Sequence, residues 1–152
     1  MITLILGGNK SGKSDLGLDM LARSRQPGRI MVTGKALDAG FREQINRHRK
    51  NRPKGLEVVE TDRCLTADLK RFSRAPGCIL IDSLDFWLYQ VPAGEREKEV
   101  EALDDLLRNW KSPDLMFVSC ELGLGPLPAS AETRRFCREL GELHLRLARK
   151  SE

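Results

Sequence analysis

The sequence lacks the marks of several large protein classes. No apolar stretch approaches the roughly 20 residues that a membrane-spanning helix needs. Met1 leads directly into the strand-like run Ile2 to Leu6, with no basic leader and no small-residue cleavage site. No membrane span and a cytoplasmic location are therefore expected. There are two histidines, His48 and His144, and four cysteines, Cys64, Cys78, Cys120 and Cys137, with no CxxC pair. That ligand supply argues against a zinc site, and the four thiols are expected to stay reduced. Repeats and low-complexity segments are absent. Charge of one sign is not in large excess: 26 basic against 22 acidic residues give +4. So mild a balance suits a polyanionic ligand such as a nucleotide without requiring one.

What is present is ordinary globular composition, 40% hydrophobic and 32% charged. The 152 residues fit one domain over 1–152. Short, near-continuous apolar runs predict buried strands over Ile2 to Leu6, Ile30 to Thr33, Cys78 to Asp82 and Leu115 to Ser119, with a shorter one over Leu56 to Glu60. Helices are predicted between them, over Ser14 to Arg23, Leu37 to Asn51, Thr66 to Arg74, Leu84 to Tyr89 (a short helix or turn), Glu95 to Trp110 and Ala129 to Ala148. The fifth carries Val100, Leu103, Leu107 and Trp110 on one face; the last carries Phe136, Leu140, Leu143 and Leu147. Strands that alternate with helices and are apolar on both faces predict an α/β fold, with a mainly parallel sheet and helices on both sides.

The segment Gly7-Gly8-Asn9-Lys10-Ser11-Gly12-Lys13-Ser14 fits G-x-x-x-x-G-K-[ST], the phosphate-binding P-loop. Its glycines free the backbone to turn its N–H groups inward around phosphate oxygens, and a helix N-terminus follows. Lys13 would reach the β- and γ-phosphates, and the Ser14 hydroxyl would ligate Mg²⁺. Ile79-Leu80-Ile81-Asp82 places a carboxylate at the end of an apolar strand, the Walker B pattern, so Asp82 is expected to hold Mg²⁺ directly or through water, with Asp85 as a second candidate. Glu121 opens a Gly123-x-Gly125 loop after another strand. Ligands of open α/β sheets bind at the carboxyl ends of strands, so Glu121, Asp82 and the P-loop are expected to converge. There Glu121 would contact the metal or a substrate hydroxyl, or serve only to hold its loop.

Three further segments carry a family resemblance. They are Leu37-Asp38 with Ile45-Asn46-Arg47-His48-Arg49 and Arg52-Pro53; Ile81-Asp82-Ser83-Leu84 with Trp87-Leu88; and Val118 to Gly125 with Pro128 and Arg134-Arg135-Phe136. Together they resemble the adenosylcobinamide kinase / adenosylcobinamide-phosphate guanylyltransferase family of cobalamin biosynthesis. The resemblance implies a P-loop (RecA-like) nucleoside triphosphate hydrolase fold that uses GTP or ATP with Mg²⁺. It implies transfer of a γ-phosphate to adenosylcobinamide, then guanylylation of a histidine by GTP and transfer of GMP to the cobinamide phosphate. The matching histidine is His48. It also implies a homo-oligomer, possibly a trimer. A neutral imidazole can attack the α-phosphorus of GTP to give a phosphoramidate. Arg47, Arg49, Lys50, Arg52 and Lys54 around it would keep it neutral and attract triphosphate.

The sequence departs from the family pattern in places. Ala39, Gly40 and Phe41 stand where acids usually follow Asp38. Cys120 replaces an asparagine, Ser83 and Asp85 replace Cys and Thr, Pro126 replaces a β-branched residue, and His144 stands where asparagine is common. The family's last apolar strand is expected to be missing after Glu152. Three other readings remain open at this point: a nucleotide-binding chain without catalysis, a P-loop small-molecule kinase with another acceptor, and an RNA-binding module. Only Phe41 lies near the basic cluster, so stacking on bases has no support and no nucleic-acid partner is expected.

Overall fold

The computed structural model describes residues 1–24, 26–33 and 55–151. Five strands, β1 (Ile2–Gly7), β2 (Gly28–Val32), β3 (Glu57–Glu60), β4 (Cys78–Asp82) and β5 (Asp114–Cys120), form one sheet in the order β1-β5-β4-β2-β3. Every pairing is parallel. The helices are α1 (Lys13–Arg23), α2 (Leu65–Arg71), α3 (Leu84–Gln90), α4 (Arg96–Arg108) and α5 (Ala131–Ala148). Each expected strand and helix within the described residues is found, with ends shifted by a few residues. The helix expected over Leu37 to Asn51, and His48 with it, lies outside the described residues.

The central strands are apolar on both faces because both faces are covered. Along β4, Ile79 and Ile81 point into one layer with Leu65 and Leu69 of α2, Trp87 of α3, Leu103 of α4 and Leu143 of α5. The alternate residues Cys78 and Leu80 point into a second layer with Leu18 and Leu21 of α1. Strand β5 repeats the pattern, Leu115 and Phe117 on the first side, Met116 and Val118 on the second. Side chains alternate across a strand, so a continuous apolar run supplies two cores at once. The stripes of the two long helices are buried as expected: Val100, Leu103 and Leu107 on α4, and Leu140, Leu143 and Leu147 on α5. Trp110 and Phe136 are partly buried against the same core.

Strand order decides what meets what. β5 lies between β1, which leads into the P-loop, and β4, which ends in Asp82. In register, Gly7 pairs with Cys120, and Asp82 pairs with Val118 on one side and Val32 on the other. The carboxyl ends of four strands thus form one rim. A parallel sheet with a reversal in strand order presents its ligand crevice there.

Candidate functional site

The P-loop closes on itself and then on the sheet. Ser11 N–H donates to the Gly8 carbonyl at 3.3 Å, and Lys13 Nζ donates to the same oxygen at 3.1 Å. Gly12 caps α1 with φ 86°, the left-handed region that disfavours a side chain, and no side chain bonds to this helix end. The first N–H groups of α1 therefore face the loop as donors for an anion, aided by the helix dipole.

The three loop glycines differ from the sequence expectation. Only Gly12 uses a positive φ; the second left-handed residue is Lys10, at φ 56°. A Cβ on Gly7 would stand 2.4 Å from Ser11 Oγ, so the Ser11 hydroxyl would have to turn aside. A Cβ on Gly8 would meet nothing within 4 Å. The loop turns at Lys10 and Gly12 rather than at the glycine pair.

Ser14 Oγ donates to Asp82 Oδ1 at 3.1 Å. The hydroxyl stands on the first turn of α1 and the carboxylate at the end of β4, so the P-loop and the Walker B strand are in contact. A hydroxyl and a carboxylate beside a phosphate loop are hard oxygen donors, the type that magnesium takes alongside phosphate oxygens. Among the described residues, no group of three His, Cys, Asp or Glu side chains gathers into an all-protein metal cage. The donors present fit a cation shared between the protein and a nucleotide.

Asp85 is engaged elsewhere: its Oδ1 accepts the Cys120 N–H at 3.0 Å and so joins α3 to the end of β5. Beside it, Ser83 is held by Thr33. The Ser83 N–H donates to Thr33 Oγ1 at 2.9 Å, and that hydroxyl donates to the Ser83 carbonyl at 2.6 Å. Gln90 Nε2 donates to the Thr33 carbonyl. This buried ring of polar contacts fixes the turn that follows Asp82.

Glu121 sits one residue past β5, and its N–H donates to the Gly7 carbonyl at 3.0 Å. Its Oε1 accepts the Gly123 N–H at 2.7 Å, the contact of the loop-holding alternative. Its Oε2 faces His144 Nδ1 at 3.4 Å. That separation is too long to satisfy the ring nitrogen, which is buried without a hydrogen bond. The other ring nitrogen, Nε2, lies 2.8 Å from Ser119 Oγ. Burial pushes the His144 pKa below its ordinary value, while the charges of Glu121 and Asp85 pull it upward. Burial also raises the Cys120 thiol, against the pull of Lys13, so Cys120 is not a thiolate nucleophile at neutral pH.

The rim thus assembles Lys13, Ser14 and Asp82, with Glu121 reaching it through Gly7. Thr33, Ser119 and His144 were not foreseen as parts of this arrangement. The signal for His144 was present: it falls on the buried stripe Leu140, Leu143 and Leu147, where a polar ring needs a partner. Nothing local marks Ser119 or Thr33, whose partners lie 25 and 50 residues away.

Comparison with known proteins agrees with this geometry. Residues 3–152 match the family model described as cobinamide kinase / cobinamide phosphate guanyltransferase. A bifunctional adenosylcobalamin biosynthesis protein of Pseudomonas aeruginosa is 34% identical over 160 aligned residues, which cover 100% of this chain and 90% of that protein. A phosphate loop in contact with its Walker B carboxylate, in a chain matched almost from end to end, places this protein in the cobinamide kinase / cobinamide phosphate guanyltransferase family.

Proposed function

We propose that this chain performs the two transfers of its family around one nucleotide site, with Lys13, Ser14, Asp82, Glu121 and His48 as the working groups. In the first transfer, the cobinamide hydroxyl oxygen attacks the γ-phosphorus of GTP or ATP. The bond to the β-phosphate oxygen breaks, the nucleoside diphosphate leaves, and the hydroxyl proton is lost. Gly7 to Ser14 cradle the triphosphate, and Lys13 exchanges its contact with the Gly8 carbonyl for phosphate oxygens. Ser14 and Asp82 would hold Mg²⁺, which supplies charge neutralisation of the triphosphate. Glu121, at the end of β5, faces the acceptor hydroxyl and takes up its proton.

In the second transfer, a ring nitrogen of His48 attacks the α-phosphorus of GTP and pyrophosphate leaves. A phosphate oxygen of cobinamide phosphate then attacks the same phosphorus. The N–P bond breaks, and the product carries GMP through a new P–O–P linkage. Two successive displacements let one nucleotide site serve two bulky partners. A homo-oligomer working in the cytoplasm completes the reading.

The contact of Ser14 with Asp82 is the observation that supports this reading most directly, because it builds the phosphate-side half of a transferase site. The test uses GTP labelled on the α-phosphate, with His48→Ala alongside. Covalent label that survives alkali and is released by acid, on the unaltered chain alone, is expected of a guanylylated histidine. Equal labelling of both chains, or none where GTP still binds, would remove His48 from the mechanism.

A further inference from the structure

His144 does work that its place on the helix does not require. It stands on α5 beside Leu140, Leu143 and Leu147, 5% exposed, at a position where an apolar side chain would complete the stripe. Burying an imidazole costs free energy unless both ring nitrogens find partners. One nitrogen has the Ser119 hydroxyl at 2.8 Å, and Ser119 itself is 0% exposed on β5. The other has Glu121 Oε2 3.4 Å away and makes no hydrogen bond.

The proton arrangement follows from donors and acceptors. Neutral imidazole carries one N–H and one bare nitrogen. The Ser119 hydroxyl satisfies the bare Nε2 by donating to it. The ring proton then sits on Nδ1, the nitrogen nearer the acceptor-only carboxylate of Glu121. Serine, histidine and glutamate in this order have the form of an acyl-transfer triad, but Ser119 is sealed in the sheet and cannot meet a substrate. Only the far end of the chain, Glu121, with its side chain 27% exposed, reaches the rim.

We propose that His144 is a positioning residue: through the buried Ser119–His144–Glu121 chain it orients the Glu121 carboxylate toward the acceptor hydroxyl. The proposal rests on the assignment of Glu121 to the acceptor. Two hydrogen bonds already hold this residue: its backbone N–H donates to the Gly7 carbonyl and its Oε1 accepts the Gly123 N–H. The His144 ring, 3.4 Å from Oε2, is placed to steer the remaining oxygen. Closing Oε2 onto Nδ1 to an ordinary hydrogen-bond length takes a movement of about 0.5 Å. Among the described residues, Asp85 on α3 is the other charged group that acts on the ring. Its own oxygen is committed to the Cys120 N–H, so Glu121 is the carboxylate that His144 can direct.

A double-mutant cycle tests this. Phosphoryl transfer is measured for the unaltered chain, His144→Leu, Glu121→Gln and the double variant, with kcat and the nucleotide KM resolved. His144→Leu is expected to lower kcat about tenfold and leave the nucleotide KM unchanged, as the loss of a supporting contact does. In the Glu121→Gln background the same change should cost nothing further. His144→Gln, which restores an N–H within reach of Glu121, should recover activity and stands in if the leucine variant does not fold. Losses that multiply, or full activity in both His144 variants, overturn the proposal. Full activity in Glu121→Gln would remove Glu121 from the reaction, and this inference with it, while His48 labelling stood untouched.

Discussion

Ser14 Oγ and Asp82 Oδ1 meet at 3.1 Å although 68 residues separate them in the chain. The contact exists because β5 inserts between β1 and β4, which sets the end of β4 opposite the first turn of α1 instead of directly beside β1. It holds a carboxylate and a hydroxyl ready beside the phosphate loop. Asp82→Asn keeps the shape and an acceptor for Ser14 but loses the charge. Its kcat for both transfers should fall by about 10²-fold or more, the scale for removing a preorganised charge from a transferase site. The melting temperature should barely move, and more Mg²⁺ should be needed for half-maximal rate. An unchanged Mg²⁺ requirement would remove Asp82 from the metal.

Gly12 and Gly8 separate backbone need from ligand need. At φ 86°, Gly12 holds a conformation that costs an alanine roughly 1–2 kcal/mol. Gly12→Ala should therefore lower the melting temperature by several degrees even without nucleotide, at ~2–4 °C per kcal/mol for a chain of this size. Gly8 is not in the left-handed region and has open space where its Cβ would be. Gly8→Ala should leave the melting temperature within about 2 °C of the unaltered chain and weaken only nucleotide binding, since ordinary surface changes stay within ~0.5 kcal/mol. Thermal melts with and without GTP distinguish the two.

The elements were legible because their signals are local. The run Cys78 to Ile81 is buried throughout, and the stripes of α4 and α5 lie in the core as their spacing predicts. The P-loop and Asp82 were legible because each is a short motif on a predicted strand end. The insertion of β5 between β1 and β4 was not, since strand order depends on long-range packing. Nor was the left-handed Lys10, because nothing about a lysine marks a turn. The Ser119–His144 contact joins a strand to a helix 25 residues on, and only the odd polar residue on an apolar stripe hinted at it. His48, to which the proposed second transfer is assigned, lies outside the described residues, so that assignment rests on the sequence.

Arg96 should be a stability residue. It is buried, its Nε donates to the carbonyls of Leu88 at 3.1 Å and Val91 at 3.0 Å, and its Nη1 meets Glu139 at 2.9 Å. The guanidinium also lies over the Phe136 ring at 5.0 Å. It therefore ties α3, α4 and α5 together. Arg96→Leu leaves two carbonyls without this donor and weakens the hold on Glu139, at a cost of about 3–5 kcal/mol, the range for breaking a buried charged pair. Burial raises the Glu139 pKa, but hydrogen bonds from Arg96 and Arg135 outweigh it and hold the carboxyl below its ordinary 4.5. Its share of stability is present above that value and is lost as pH falls through the lowered one. In denaturant titrations Arg96→Leu should therefore be weaker at neutral pH and show a shallower loss on acidification.

His144 gives the opposite kind of titration. Burial holds its pKa below 6.5, so between the lowered value and 6.5 the folded chain keeps a neutral ring while the unfolded chain binds a proton. The state that binds more protons gains as pH drops, so this share of stability is full above 6.5 and declines as pH falls through the window. A His48→Ala chain contains a single histidine and isolates the effect. Its denaturation midpoint should fall between pH 7.5 and 5.5, and adding His144→Asn should flatten that fall. The Glu121 charge opposes the burial effect, so Glu121→Gln should lower the His144 pKa further, as read from the imidazole signals in nuclear magnetic resonance. An unmoved pKa would mean that ring and carboxylate do not face each other in solution. A pKa well above 6.5 in the unaltered chain would mean that the ring is charged and paired at neutral pH, contrary to the arrangement in which Ser119 donates to Nε2.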